Sequence, residues 1–197
     1  MARKKNKALK YLTLEEIEAL FSVITKVRDK AIFRLAYHRG LRISEVGLLQ
    51  LSDYRQSAGR LFVSRVKGSN SGEFCLLPAE QTPLRAWIRE RGTAPGPLFL
   101  SRNHRAIGVD VLDDLMKHYC MLANIPADNA HFHALKHSCG THLAEMEGDI
   151  VMLQDHLGHR NVQNTMIYIA VSNKRRDEMA RRLSDWGKKK GKNERRD

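Results

Sequence analysis

The stretch LGHRNVQNTMIYI, residues 157–169, places a histidine and a tyrosine nine residues apart, and three earlier segments carry further reactive side chains. They are GLRISE at residues 40–45, the glycine-bounded turn KGSNSG at 67–72, and HALKHSCGTHL at 133–143. In chain order the four segments supply Arg42, Lys67, His133, Lys136, His159 and Tyr168. This set of cations, histidines and one tyrosine decides how the chain is interpreted.

Together these side chains suit the attack of a tyrosine on a phosphodiester. A tyrosine hydroxyl is a poor nucleophile at its ordinary pKa of ~10, so cations and hydrogen-bond donors must stabilise the charge that grows on the non-bridging oxygens. An arginine fork matches two such oxygens, and histidines donate hydrogen bonds or relay protons. A lysine on a flexible hairpin can protonate the leaving oxygen. We therefore expect a reaction that uses no metal and no cofactor.

At these four segments the chain resembles the tyrosine recombinase, or phage integrase, family, in the same order from Tyr11 to about Asp177. Short members that invert DNA in fimbrial phase variation look most similar. By this resemblance Glu45 is the acidic residue that orients the site. We expect His137 to be a buried, hydrogen-bonded support rather than a metal ligand. The family's catalytic positions correspond to Arg42, Lys67, His133, Lys136, His159 and Tyr168.

The resemblance implies a mainly α fold with a small antiparallel β-sheet, the catalytic domain of a tyrosine recombinase. It also implies that Tyr168 attacks the scissile phosphate and forms a 3′-phosphotyrosine, while Lys67 protonates the leaving 5′-oxygen. The groups expected to grip the phosphate are Arg42, His133, Lys136 and His159. Four protomers on two sites of double-stranded DNA are expected, with an accessory DNA-bending protein as a further partner.

Lys136 departs from the family pattern, because it stands where the family has its second arginine. A lysine keeps the positive charge and loses the bidentate fork. Without compensation, transition-state stabilisation should fall by about 1.5–3 kcal/mol, the value of a charged hydrogen bond. That corresponds to roughly 10- to 100-fold in rate.

Other interpretations remain open at this point. Arg42 could form a surface ion pair, and Tyr168 could be a core aromatic. His133 and His137 have the spacing of a zinc helix, but no glutamate follows His133, so a metalloprotease motif is absent. A type IB topoisomerase uses a similar residue set and would relax plasmids without site preference. A non-catalytic DNA-binding regulator would bind DNA without forming an adduct.

The charge of +12 indicates a polyanionic partner, although most of it lies at the two ends. Residues 187–197 carry six basic and two acidic side chains, and the body between the ends has a net charge of +3. Mobile basic ends can contact phosphates, or they can simply keep the protein soluble. The basic residues of the N-terminal arm, which we expect to bind DNA together with Lys67, are Arg3, Lys4, Lys5, Lys7 and Lys10.

The length suits one domain, which we place at residues 11–186 between a basic arm at 1–10 and a basic tail at 187–197. The N-terminal helical clamp domain common in the family has no room here, so the chain is either a naturally short recombinase or a fragment. No apolar run resembles a membrane span or a secretory signal, and the three scattered cysteines indicate neither disulfides nor zinc. A cytoplasmic, nucleoid-associated protein is expected.

Periodicity predicts a largely helical chain with one hairpin inserted. Thr13 and Glu16 form a capping box before the first helix, and Gly40 ends the second. The hairpin strands are predicted at 60–66 and 73–77. The helices after the first are predicted at 29–39, 44–51, 80–91, 109–122, 134–147, 149–156, 165–169 and 172–186.

Overall fold

The capping box predicted from the sequence begins the first helix of the computed structural model. Thr13 Oγ1 accepts a hydrogen bond from the Glu16 amide at 3.2 Å, and the Glu16 carboxylate accepts one from the Thr13 amide at 2.8 Å. Two amide groups that the helix itself leaves unpaired are thereby satisfied. The buried face of this helix consists of Ile17, Leu20 and Phe21.

The structure describes residues 9–66, 68–146, 149–171 and 181. Its α-helices in this part of the chain are α1 (Leu14–Val23), α2 (Val27–His38), α3 (Ile43–Val46), α4 (Pro78–Arg91), α5 (Val109–Leu122), α6 (His133–Met146), α7 (Ile150–Leu157) and α8 (Gln163–Val171), and two short 3-10 helices lie at Leu51–Asp53 and Ala127–Asn129. The predicted helix at 172–186 falls, apart from residue 181, outside the described residues. None of the described helices has the length and apolar character needed to cross a membrane.

A three-stranded antiparallel sheet follows α3, with the strands in the order β1 (Tyr54–Arg55), β2 (Arg60–Val63) and β3 (Gly72–Cys75). The predicted hairpin is therefore confirmed, but the predicted strand lengths at 60–66 and 73–77 were too long. Beyond β2 the main chain leaves the ladder, since the Arg65 amide donates to Ser71 Oγ at 3.0 Å. Sequence analysis did not anticipate β1.

The helix predicted at 44–51 is present, but its predicted end was wrong, because α3 ends at Val46. Gly47 follows at a place where the main chain closely approaches another segment. A Cβ atom at this position would lie 2.8 Å from the Ile107 carbonyl oxygen. The chain then turns away, and the Leu98 amide donates to the Leu49 carbonyl at 2.7 Å. The glycine thus allows the main chain after α3 to pack closely against the segment at Ile107.

The core forms around α2, which packs against both α4 and α6. Phe33 of α2 is fully buried and meets the rings of Tyr119 and Phe132 edge to face. A second, smaller apolar cluster connects α6, α7 and α8, and its buried members are Cys139, Ala144, Leu153, Leu157 and Tyr168. This cluster holds α8 against the main body.

The three cysteines are unpaired thiols. Cys75 lies exposed at the end of β3, whereas Cys120 and Cys139 are buried in the helical body. Among the described residues, no group of histidine, cysteine or acidic side chains is arranged to hold a metal ion.

Candidate active site

Arg42 is positioned by the sharp turn that separates α2 from α3. Gly40 makes this turn with φ at +54°, a conformation that favours glycine. Arg42 then precedes α3, and both its amide and its Nη1 donate to the Glu45 carboxylate at 2.8 Å. Nη1 also donates to Ser69 Oγ at 2.8 Å. Glu45 and Ser69 therefore hold the Arg42 side chain in place. The side chain is still 25% exposed, so it also faces solvent.

Glu45 is buried and shared by a second arginine that the sequence analysis missed. Arg65 Nη1 donates to Glu45 Oε2 at 2.9 Å and to the Gly40 carbonyl at 3.0 Å. Its Nη2 donates to the carbonyls of Arg39 and His156 at 2.7 and 3.1 Å. The Arg65 side chain has no exposed surface. It therefore ties the base of the hairpin to the ends of α2 and α7.

The sequence did contain a signal for Arg65. Side chains alternate between the two faces of a strand, and in β2 the inward positions are Leu61 and Val63. Arg65 is the next position in that alternation and is likewise buried. A buried charge requires partners, so an arginine at an inward position predicts a network.

Lys136 lies on α6 with its ammonium directed at main-chain oxygens. Nζ donates to the Gly40 carbonyl at 2.7 Å and to the Leu157 carbonyl at 3.2 Å. Only 2% of the residue is exposed. Burial, together with the charges of Arg65 and Arg42, lowers the pKa of Lys136 to about 7. Its predicted contact with a phosphate stays a prediction.

His133 and His159 lie near these cations. The His133 ring contacts the His137 ring edge to face, with 4.7 Å between centroids, and His159 Nδ1 lies 3.0 Å from Thr165 Oγ1. Burial, followed by the charge of Lys136, lowers the pKa of both His133 and His159, the latter to about 4. His159 is therefore a neutral ring at physiological pH.

Tyr168 lies on α8 in a slot made by α6. The residue is 1% exposed, and its ring occupies the space beside Gly140, where a Cβ atom would come within 2.6 Å of Tyr168 Cζ. Its hydroxyl lies 3.2 Å from Nδ1 of the half-buried His137. The His159 ring is nearly parallel to it at 6.3 Å. Burial raises the pKa of Tyr168, with a smaller contribution from Cys139.

The hairpin tip closes over the site. Ser69 and His159 form a β-bridge, and the Asn70 amide donates to the Gly158 carbonyl at 2.9 Å. Lys67 lies outside the described residues, so its role as a general acid stays a prediction. Of the predicted DNA-binding arm, Lys10 is described and lies 3.6 Å from the exposed Asp128 carboxylate. The remaining arm residues, Arg3, Lys4, Lys5 and Lys7, fall outside the described residues, as does the tail.

The model of the Phage integrase family matches residues 10–175 of the chain. Type 1 fimbriae regulatory protein FimE of Escherichia coli K12 is 32% identical over 170 residues, which cover 82% of this chain and 85% of FimE. Tyrosine recombinase XerA of Pyrococcus furiosus is 32% identical over 183 residues, which cover 89% of this chain and 62% of XerA.

Solved structures share the fold. The crystal structure of XerA recombinase superposes with a TM-score of 0.76 at 23% identity, covering 88% of this chain and 64% of that one. The structure of XerH site-specific recombinase bound to a palindromic difH substrate superposes with a TM-score of 0.77 at 22% identity. The match covers 90% of this chain and 55% of that one. The chain thus spans between about half and two thirds of these longer recombinases. The fold class and the recombinase class predicted from the sequence are confirmed, and the chain belongs to the Phage integrase family, the tyrosine recombinases.

Proposed function

We propose that this chain is a site-specific DNA recombinase that cuts and rejoins strands through a covalent bond to Tyr168. The observation that carries the proposal is the charge around the buried Glu45. Three basic side chains lie around this one carboxylate, namely Arg42, Arg65 and Lys136. A single negative charge cannot neutralise all of their positive charge. Such an excess of positive charge beside a tyrosine favours an anionic group, and a phosphodiester fits the tyrosine chemistry.

In the cleavage step, Tyr168 Oη gives its proton to a histidine of the site and attacks phosphorus as the bond to the 5′-oxygen breaks. The product is a 3′-phosphotyrosine, and the leaving 5′-oxygen takes its proton from Lys67. A 5′-hydroxyl of a partner strand then attacks the phosphotyrosine and passes its proton to Lys67. The phosphodiester is restored, and Tyr168 leaves with the proton that the histidine had taken. The bond energy is kept within the covalent link, so the sequence of steps balances without ATP.

Two features of the free protein must change for this step. Tyr168 is 1% exposed, so the end of α8 has to move before Oη can meet a phosphate in duplex DNA. Lys136 has to release the Gly40 and Leu157 carbonyls before it can bind a non-bridging oxygen. Arg42, the most exposed of the three cations, is the first to contact the phosphate. His133 and His159 donate further hydrogen bonds to it.

We further propose that the substrate is double-stranded DNA and that four protomers assemble on two sites, with an accessory DNA-bending protein as an additional partner. The basic arm and tail contact phosphates outside the site and add affinity that depends on salt. Placement of the two sites determines whether the outcome is integration, excision or inversion. The names of the recombinase relatives support the recombinase activity, and we propose that it takes place on the nucleoid in the cytoplasm.

Covalent trapping tests the proposal. Purified protein is incubated with nicked fragments of the source genome, denatured, and assayed for DNA that stays attached. Tyr168→Phe should abolish the adduct. Tyr37→Phe is the matched control, because it removes another hydroxyl that lies 2.9 Å from a histidine of α6. Sequencing the trapped DNA then gives the target site.

Two other outcomes would replace the proposal. Relaxation of supercoiled plasmid without a preferred sequence would indicate a topoisomerase-like activity. Tight DNA binding with no adduct, from both the parent protein and Lys136→Arg, would indicate a non-catalytic regulator of the same fold.

A further inference from the structure

Arg65 is a buried cation beside the proposed reaction that the cleavage step does not use. Its side chain has no exposed surface. Burying a charge is costly unless partners satisfy it, and the two terminal nitrogens of this guanidinium donate four hydrogen bonds. The acceptors of these bonds indicate what the side chain does.

One acceptor is the carboxylate that holds Arg42. Glu45 Oε2 accepts a hydrogen bond from Arg65 Nη1 at 2.9 Å and one from the Arg42 amide at 2.8 Å. Glu45 Oε1 accepts one from Arg42 Nη1 at 2.8 Å. Because both oxygens are bound, the carboxylate cannot rotate without breaking one of these bonds. Arg65 therefore fixes the orientation of Glu45, and with it the direction of the Arg42 guanidinium.

Other hydrogen bonds of Arg65 hold the main chain that leads to the groups expected to bind phosphate. Its Nη1 donates to the Gly40 carbonyl at 3.0 Å, two residues before Arg42. Its Nη2 donates to the His156 carbonyl at 3.1 Å, three residues before His159. Arg42 is thus held in two ways, by the carboxylate that it binds and by the turn that precedes it.

These contacts persist through the changes that cleavage requires. Lys136 has to release the Gly40 carbonyl, but Arg65 Nη1 donates to the same oxygen and keeps it satisfied. The acceptors of Arg65 lie at the ends of α2 and α7 and on α3, whereas Tyr168 moves with α8. The network around Arg65 in the free protein is therefore also the one that the DNA meets.

Resting on the recombinase function proposed above, we propose that Arg65 is a positioning residue, which holds the Arg42 guanidinium in the orientation that binds the scissile phosphate. Arg65 itself contacts neither the DNA nor the reacting atoms, and it acts through Glu45 and the Gly40 turn. Donors that are already oriented need no reorganisation during the reaction. A binding group displaced by about 1 Å can lower the rate about 100-fold.

The role requires a guanidinium at position 65. Arginine directs donors from two terminal nitrogens in one plane, whereas lysine has a single nitrogen on a flexible stem. In Arg65 one nitrogen binds Glu45 and the other binds the His156 carbonyl. Arg65→Lys therefore removes this geometry and keeps the positive charge, including its effect on Lys136.

A double-variant cycle tests the proposal, with the single-turnover rate of adduct formation measured at saturating concentrations of the DNA fragment that the parent protein traps. Arg65→Lys should slow adduct formation in the parent by about 10- to 100-fold. In an Arg42→Met background the same change should slow it by less than about threefold, because the side chain that Arg65 positions is gone.

Arg91 of α4 supplies the matched control. Its guanidinium also binds the main chain, with Nε and Nη2 donating to the Pro97 carbonyl at 2.9 and 2.7 Å. Arg91→Lys should leave the adduct rate within about threefold of the parent, since Arg91 belongs to a separate network. Urea curves of both lysine variants measure the stability that each one loses.

Two results would overturn the positioning role and leave the recombinase function standing. One is an adduct rate for Arg65→Lys equal to that of the parent. The other is the same loss of rate with and without Arg42, which would mean that Arg65 supports the fold alone. This comparison holds even where Arg65→Lys is partly unfolded, because a smaller folded fraction lowers both rates by the same factor. No adduct from the parent itself would overturn both proposals.

Discussion

Two buried glutamates, Glu80 and Glu45, each pair with arginine and yet belong to very different regions of the molecule. Glu80 of α4 receives two hydrogen bonds from Arg39, at 2.8 and 2.7 Å. Glu45 of α3 receives hydrogen bonds from both Arg42 and Arg65, and Lys136 lies close by. Neither carboxylate has any exposed surface.

The two pKa shifts have opposite signs. Burial raises the pKa of Glu80, against the opposing hydrogen bonds and charge of Arg39. Burial also acts to raise the pKa of Glu45, but the Arg42 amide and the Arg65 charge together lower it. One carboxylate with one guanidinium is a balanced pair that joins α2 to α4. One carboxylate shared by two guanidinium groups, with Lys136 beside them, leaves positive charge unmatched, and that region can take up an anion.

Breaking the balanced pair should have the largest effect, and the effect should be on stability. Arg39→Met leaves Glu80 buried without its guanidinium, which should lower the free energy of unfolding by about 3–5 kcal/mol. Urea denaturation measures this loss. Arg39→Met/Glu80→Leu should recover most of it, because both charges are then gone. A double variant as unstable as the single one would contradict the comparison.

Removing a cation from the region around Glu45 should affect activity instead of stability. Arg42→Met should slow adduct formation by about 100- to 1000-fold, the effect of losing one donor to the developing charge. Its free energy of unfolding should change by less than about 1 kcal/mol, since the side chain is partly exposed. Adduct rates and urea curves of the same preparations give both numbers. A stability loss matching that of Arg39→Met would show that the two regions do not differ.

Lys136→Arg should strengthen phosphate binding in the region of excess positive charge, because arginine supplies a planar pair of donors at the same place. We expect adduct formation to rise by about 10- to 100-fold, provided the larger side chain leaves the carbonyls of Gly40 and Leu157 for the phosphate. Parallel trapping assays on the same DNA fragment measure the change. An unchanged rate would mean that position 136 does not limit the reaction.

The smallest expected effect is in the pH dependence of DNA binding. With a pKa of about 7, Lys136 is mostly neutral above that pH in the free protein, whereas a bound phosphate favours its charged form. Binding above pH 7 should therefore take up a proton, and affinity should fall by up to about tenfold per pH unit. Titrations from pH 6 to 9 should show this slope in the parent. Lys136→Arg, which stays charged, should lose it.

The reactive groups could be predicted from the sequence because each lies in a short, local pattern. Arg42 follows the Gly40 turn, and Tyr168 follows His159 at a fixed spacing. Contacts between side chains that are distant in the sequence could not be predicted in this way. His137 and Tyr168 are 31 positions apart with the whole of α7 between them, and only the packing of α8 on α6 shows that their side chains meet.

Sequence analysis likewise predicted the local elements of the fold better than their exact ends. Helices with strong periodicity were found within a few residues, while the short α3 and the end of β2 were misjudged. In both places the chain makes a long-range contact that a local sequence pattern does not reveal. Gly47 packs against the Ile107 carbonyl, and Arg65 leaves the strand ladder to bind main-chain oxygens of α2 and α7.

The distribution of the cysteines makes the unmodified chain suitable for site-specific labelling. Burial raises the pKa of the Cys120 and Cys139 thiols to about 11, which keeps them protonated and shielded at neutral pH. Cys75 is exposed on β3, the strand that returns from the hairpin tip. A maleimide fluorophore or spin label would therefore attach at Cys75 alone. Its signal would report how the hairpin moves when duplex DNA arrives, without a single engineered residue.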